Sequence, residues 1–245
     1  MQLNLQDIDK LQAELRTRRP LNATELKRLR EEFLIETTYN SNAIEGNTLT
    51  LRETALILQQ GITIAEKHLR DHLDIIGFRD AFKYMTEIAS KNAALTEKII
   101  LDFHSLVLMN DAENRGRYRR VPVQILGASH TPPQTYMVKI NQLLESYSQW
   151  KQAKHIIEAV ALLHLEFEAI HPFIDGNGRT GRLLLNFELI KHGLLPIDIK
   201  FADRRKYYDC FDNYHSNGNN PKALTELIAT YEIAELKKYL NIITE

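Results

Sequence analysis

The sequence predicts a mostly α-helical fold with one short extended flap. Three observations predict it. Apolar residues recur at helical spacing through most of the 245 residues. Start and stop signals bracket those stretches, with Asn22, Thr50 and Thr96 as N-caps and Gly46, Gly61 and Gly193 as terminal stops. Residues 111–135 break the pattern: they hold Gly116, Pro122, Gly127, Pro132 and Pro133, and Val121, Val123 and Ile125 favour extended chain.

In chain order, Leu5, Ile8, Leu11 and Leu15 mark a helix over 5–19, broken by Pro20. Arg16, Arg18 and Arg19 read as its solvated end. A second helix starts near Asn22 or Thr24, with Leu26, Leu29, Phe33 and Ile44 inward and Glu31, Glu32 and Glu36 outward, and stops at Gly46-Asn47. Thr50 and Glu53 form a capping box for a helix over 51–60, closed by Gly61. Long helices follow over 66–90, around Leu69, Leu73, Ile76, Phe82 and Met85, and over 96–110. His104 lies among apolar residues of the latter and reads as a core histidine. The segment at about 116–135 reads as a β-hairpin flap. Arg115, Arg117, Arg119 and Arg120 at its base are either solvated or anion-facing. Helices resume over 136–150, 154–170, 182–191, 203–216 and 221–240. There is no internal repeat, low-complexity run or linker; the division expected is a helical region over 1–65 and a core over 66–245.

A chain 44% hydrophobic and 26% charged is that of an ordinary globular protein. A formal net charge of −1 gives no global field for nucleic acid. A lone cysteine, Cys210, rules out an internal disulfide framework. There is no signal-like N-terminal run and no stretch of about eighteen apolar residues, so no membrane association and a cytoplasmic location are expected.

The chemistry concentrates between two helical stretches, in His171-Pro172-Phe173-Ile174-Asp175-Gly176-Asn177-Gly178-Arg179-Thr180-Gly181-Arg182. Gly176 and Gly178 allow successive N–H groups to form an anion nest, which the positive end of a helix strengthens. Arg179 and Arg182 share one helical face and suit phosphate oxygens. Asp175 is a hard oxygen ligand, and one carboxylate plus phosphate oxygens and water is how Mg²⁺ is usually held. His171, stiffened by Pro172, suits general-base work on an incoming hydroxyl, and Phe173 anchors the loop.

This stretch resembles the signature of the Fic-domain family, His-Pro-Phe-x-Asp/Glu-Gly-Asn-Gly-Arg-x-x-Arg, and fills every fixed position. The related Doc kinases lack the full pattern. The resemblance implies an α-bundle with a β-hairpin flap and transfer of AMP from ATP to a Ser, Thr or Tyr hydroxyl of a target protein, the chain itself included. His171 would deprotonate the hydroxyl, and Asp175 would hold Mg²⁺ or Mn²⁺. Gly176, Asn177, Gly178, Arg179, Thr180 and Arg182 would bind the phosphates. Val123 and Gln124 of the flap would pair with the target backbone; Ile125, Leu126 and Gly127 would cover the nucleotide. Tyr207 and Tyr208 resemble the aromatic pair near the base. His215 stands where the family has an asparagine, which leaves the purine preference open.

Ser41-Asn42-Ala43-Ile44-Glu45-Gly46 is similar to the inhibitory motif of the N-terminally autoinhibited class, Ser/Thr-x-x-x-Glu-Gly/Asn, and 43–51 resembles the family's animal branch. Glu45 at a helix end would pair with Arg182 and place negative charge where a phosphate must sit. Two other functions are compatible with these residues. One is removal of AMP from a modified protein, with Glu45 positioning water; the other is a non-catalytic nucleotide-sensing or partner-binding module. The resemblance leaves the target unidentified, and a homodimer would secure the inhibitory helix.

Overall fold

The computed structural model describes residues 5–18, 20–125 and 130–244. Its helices are α1 (Leu5–Thr17), α2 (Ala23–Ile44), α3 (Leu51–Gln60), α4 (Leu69–Ser90), α5 (Glu97–Val107), α6 (Tyr136–Ala153), α7 (Ile156–Ile170), α8 (Asn177–Lys191), α9 (Arg204–Ser216) and α10 (Lys222–Thr244), with a 3₁₀ turn at Phe201–Asp203. No helix among the described residues is long and apolar enough to cross a membrane.

The caps explain the sharpest boundaries. Asn22 accepts from the N–H groups of Thr24 and Glu25, and Glu25 reaches back to the Asn22 N–H. Thr50 and Glu53 do the same for α3. Such caps are worth about 1 kcal/mol each.

The α7–α8 hairpin runs through the middle of the molecule. Both helices are buried on most sides; α7 is apolar almost throughout, while α8 also buries polar side chains such as Arg179, Arg182, Asn186 and Glu188. On one side Leu163, Phe167, Leu184 and Phe187 join Phe78, Phe82 and Phe103. On the other, Val160, Leu185 and Leu189 join Ile197, Tyr207, Leu227 and Leu236. Each large apolar side chain enclosed this way contributes about 1.5–3 kcal/mol. The hairpin thereby holds its connecting loop, 171–176, between two rigid walls. α2 packs on α4 and touches α8, while α1 lies on α10. In the C-terminal half of α2, Asn40 donates to Asp198 at 2.7 Å, and Lys200 bridges Glu36 and Asp198 at 2.7 Å each.

Several elements differ from expectation. The helix predicted from residue 66 begins at Leu69, because Glu66 takes a left-handed backbone with φ 62° and breaks the turn. The helix predicted to reach residue 110 stops at Val107 and finishes as a turn. α8 starts at Asn177, not Arg182, so the glycine-rich half of the motif is already helical. No strand forms among the described residues, and the expected β-hairpin is replaced by turns and extended chain over 111–125 and 130–135. Pro122, Pro132 and Pro133 each lack a ladder donor, and an isolated two-stranded ribbon is marginal in water.

Candidate active site

His171 caps the C-terminus of α7 in a left-handed conformation, φ 47° and ψ 61°, an uncommon backbone for a residue with a side chain. The surroundings hold it there. Arg119 Nε donates to the His171 carbonyl at 2.9 Å and its main-chain N–H to the Pro172 carbonyl at 3.0 Å. The same guanidinium donates to the carbonyls of Val121 and Pro133, so one buried arginine ties both arms of the flap to the loop. Phe173 is fully buried and stacks on His104, ring centroids 3.6 Å apart. His104 Nε2 donates to the Asp175 carbonyl and Nδ1 accepts from the Gly116 N–H, both at 3.0 Å. Burial pushes the His104 imidazole down to about 4, so it serves as a neutral strut.

The Asn177 side chain spans the loop, accepting from the Phe173 N–H and donating to the Phe173 carbonyl, both at 2.9 Å. Gly176, at φ 75°, then opens α8, whose first turn presents N–H groups without intrahelical partners. The carboxylate of Glu45 lies over this turn; a Cβ on Gly178 would overlap Glu45 Oε1. An anion therefore already sits at the N-terminus of α8, and it belongs to the chain itself.

Glu45 is the C-cap of α2, and Gly46 turns the chain away at φ 92°. Its Oε1 accepts from Arg182 Nη2 at 2.8 Å. Arg182 also donates from Nε to Ser41 Oγ at 2.9 Å and from Nη2 to the Ser41 carbonyl at 2.8 Å. Burial, the largest single influence, acts to lower the Arg182 pKa, but Glu45 and Tyr207 together outweigh it and the net direction is upward. Arg179 is turned inward: Nη1 pairs with Asp74 at 2.8 Å and Nη2 lies 3.5 Å from Asp175. The other oxygen of Asp175 holds Arg70 Nη2 at 2.6 Å.

His171 Nδ1 lies 3.3 Å from the Glu168 carbonyl, which places the ring hydrogen on Nδ1 and leaves Nε2 as the lone pair. Burial lowers the His171 pKa, with the Glu168 carbonyl and the Glu45 charge opposing. The imidazole is thus a free base at neutral pH. In front of it opens a cleft of about 370 Å³, lined by Glu45, Ile125, Arg182, Tyr208 and His215 among others.

The Fic/DOC family profile matches residues 94–189, from just before α5 into α8. Protein adenylyltransferase Fic of Nematostella vectensis is 34% identical over 197 residues, 78% of this chain and 45% of that protein. The protein of the same name from Aedes aegypti is 37% identical over 191 residues, 75% of this chain and 38% of its own length. The chain belongs to the Fic/DOC family. It spans less than half the length of these curated relatives. A Fic domain containing signaling protein from Bacteroides thetaiotaomicron superposes with TM-score 0.88 at 28% identity, covering 97% of this chain and 98% of that one. Fic-1 from C. elegans does so with TM-score 0.83, also at 28% identity, over 98% of this chain and 72% of that one.

Not every residue of the Fic signature faces the cleft. His171, Gly178 and Arg182 line it together with Glu45 and Ile125. Thr180 is fully buried with its hydroxyl turned inside, and the Asn177 amide is used up within the loop. Tyr207 forms part of the cleft wall beside Arg182 but is almost wholly buried, its hydroxyl 2.6 Å from His164 Nε2. Tyr208 is the half-exposed member of the pair and donates to the Ile44 carbonyl. Val123 is half-buried and Gln124 exposed; Leu126 and Gly127 lie outside the described residues. Sequence reasoning missed Asp74, Arg70 and Glu168. An aspartate beside Ile75 and Phe78 on a buried helix face was the available signal for Asp74. Arg119 is a clamp, while Arg115, Arg117 and Arg120 are exposed.

Proposed function

We propose that this Fic chain is an autoinhibited protein adenylyltransferase, moving AMP from ATP to a Ser, Thr or Tyr hydroxyl of a protein. The observation that carries the reading is the Glu45–Arg182 pair lying over the N-terminus of α8, in the same cleft as His171. A carboxylate there occupies the place that a phosphate would take, so the site is complete and self-blocked.

The chemistry follows from the groups in place. His171 Nε2 takes the proton of the target hydroxyl, and its oxygen attacks the α-phosphorus of ATP. The new P–O bond forms as the bond to the β-phosphate breaks, and pyrophosphate leaves with the electron pair. The N–H groups of Asn177, Gly178 and Arg179 receive the phosphate oxygens. Arg182, once released by Glu45, meets the γ-phosphate; Arg179 fixes the loop through Asp74 and Asp175. Tyr208 and His215 border the end of the cleft left for the base. The flap, with no strand partner among the described residues, offers backbone to a target segment.

Asp175 is a lone, part-exposed carboxylate, and no group of three His, Cys, Asp or Glu side chains that could hold an ion exists among the described residues. That donor set fits Mg²⁺ or Mn²⁺ bound by one carboxylate, phosphate oxygens and water, where the ion would neutralise phosphate charge. The region over 1–65 serves as the regulatory arm of a core over 66–245. The relatives are named for transfer of AMP to protein, which favours neither its removal nor a non-catalytic module.

The test is labelling with ATP radioactive in the α-phosphate. Glu45→Gly is expected to label itself or lysate proteins far faster than the parent, and Glu45→Gly/His171→Ala to abolish the label. Equal labelling by parent and Glu45→Gly, or label surviving the loss of His171, would overturn the reading.

A further inference from the structure

Glu168 has no part in the chemistry above, yet its placement is specific. It lies one turn before His171 on α7. Its main-chain carbonyl receives His171 Nδ1–H, and its carboxyl Oε2 lies 3.9 Å from the same nitrogen. The side chain is mostly buried at the wall of the cleft, and its Oε1 is enclosed with no hydrogen-bond partner among the described residues. An orphaned buried oxygen is destabilising, and such groups mark strain or function. The chain also makes room for it: a Cβ on Gly181 would overlap Glu168 Oε1. A glycine inside α8 weakens the helix, and here it admits a carboxyl. One turn away, beside Gly178, Arg182 Nη1 also lacks a partner, and its charge acts on Glu168. A bare acceptor and a bare donor thus lie within electrostatic reach of each other, while Glu45 engages Arg182 through Nη2.

We propose that the Glu168 carboxyl is the acidic partner of His171, brought into play when Glu45 leaves Arg182. The proposal rests on the transferase reading and gives Glu45 a second effect. With Glu45 in place, two carboxyls compete for one guanidinium, and Glu168 stays protonated; burial first and the Glu45 charge second push it up to about 8. Once Glu45 withdraws, one N–H of Nη2 is free for phosphate, the other staying on the Ser41 carbonyl, and Nη1 is free for Glu168. Glu168 gives its proton to solvent and sets negative charge beside the Nδ1–H edge of His171. When Nε2 takes the proton of the target hydroxyl, that charge stabilises the imidazolium; the Nδ1 hydrogen stays where it is. The ionisable groups around this pair are Glu45 from the end of α2, Arg182 from α8, His164 from α7, Tyr207 from α9, and Arg119 and Asp175 on the far side of His171. Glu168 acts through His171 and is a positioning residue.

The experiment is an NMR titration of the His171 imidazole in Glu45→Gly and in Glu45→Gly/Glu168→Gln, beside pH profiles of AMP transfer. Glutamine has the shape of the protonated acid and removes only its charge. Removing the nearby charge is expected to lower the His171 pKa by about one unit. The acid limb of kcat should move down in pH by the same amount, and the plateau should fall about tenfold with KM for ATP unchanged. In the protein that keeps Glu45, Glu168→Gln should leave the His171 pKa nearly unmoved. Glu45→Gly/Glu168→Asp, which keeps a carboxyl, should recover part of the shift, and it carries the test if the glutamine protein does not fold. A His171 pKa that is the same with and without the carboxyl in the Glu45→Gly background overturns the proposal. The titration needs no turnover, so a Glu45→Gly protein that transfers no AMP would count against the transferase reading alone.

Discussion

Glu45→Gln removes one charge while keeping the size of the side chain, and the structure says what that charge is worth. Arg182 is 5% exposed in the side chain and Glu45 33%, at a separation of 2.8 Å. Breaking a fully buried pair from one side costs about 3–5 kcal/mol; an exposed pair is worth about 0–1 kcal/mol. A pair with one partner enclosed and the other a third open falls between, at about 2 kcal/mol. With about 1.4 kcal/mol per tenfold, the blocked arrangement is favoured roughly 30-fold. Nucleotide must work against that factor, so the variant should transfer AMP roughly 30 times faster at subsaturating ATP. The assay is the initial rate of labelled AMP incorporation, with circular dichroism to confirm an unchanged fold. A well-folded variant whose rate rises less than about threefold would refute the argument, since the pair would then be worth under about 0.7 kcal/mol.

Three further outcomes follow from particular contacts. Phe173→Ala removes a fully buried ring stacked on His104 and should cost about 3–5 kcal/mol, read from the urea midpoint. Arg70→Ala frees one oxygen of Asp175 from a 2.6 Å ion pair, so Mn²⁺ should bind several-fold more tightly; electron paramagnetic resonance of the free ion measures this without turnover. Glu232 is buried, has one oxygen bare, and burial pushes it up to about 8 from 4.5. Its folded pKa lies above its unfolded one, so its contribution is full below pH 4.5 and is lost as pH rises towards 8. Glu232→Gln should flatten the stability profile across that window, as followed by thermal unfolding at several pH values.

Much of the fold was legible because its signals are local. Asn22 with Glu25 and Thr50 with Glu53 each write a helix start within four residues, and the structure places both there. The position of Glu45 on the edge of a glycine turn was visible for the same reason. What stayed hidden depends on contacts between distant segments. Asp74 meets Arg179 only after α4 docks on α8, and Arg70 reaches Asp175 by the same docking. The early start of α8 was obscured by Gly178 and Gly181, which read as loop; the reason for them is the approach of Glu45 and Glu168 from other helices. Asn177 is a fixed position of the signature and Thr180 falls at one of its variable positions, but the closure of the loop and the pitch of α8 turn both side chains inward. Extended-chain propensity at Val121, Val123 and Ile125 signalled a strand, yet propensity alone supplies no pairing partner.

The anchorage of α2 sets the mechanics of release. The helix is a stiff rod of about 33 Å, given 1.5 Å per residue, and Asn40 and Glu36 bolt it to Asp198 and Lys200 just short of its tip. The last turn, between Asn40 and Gly46, is held at the cleft itself, by Arg182 at Ser41 and Glu45 and by Tyr208 at the Ile44 carbonyl. The lever that opens this site is therefore short, and whatever throws it must act at the mouth of the cleft.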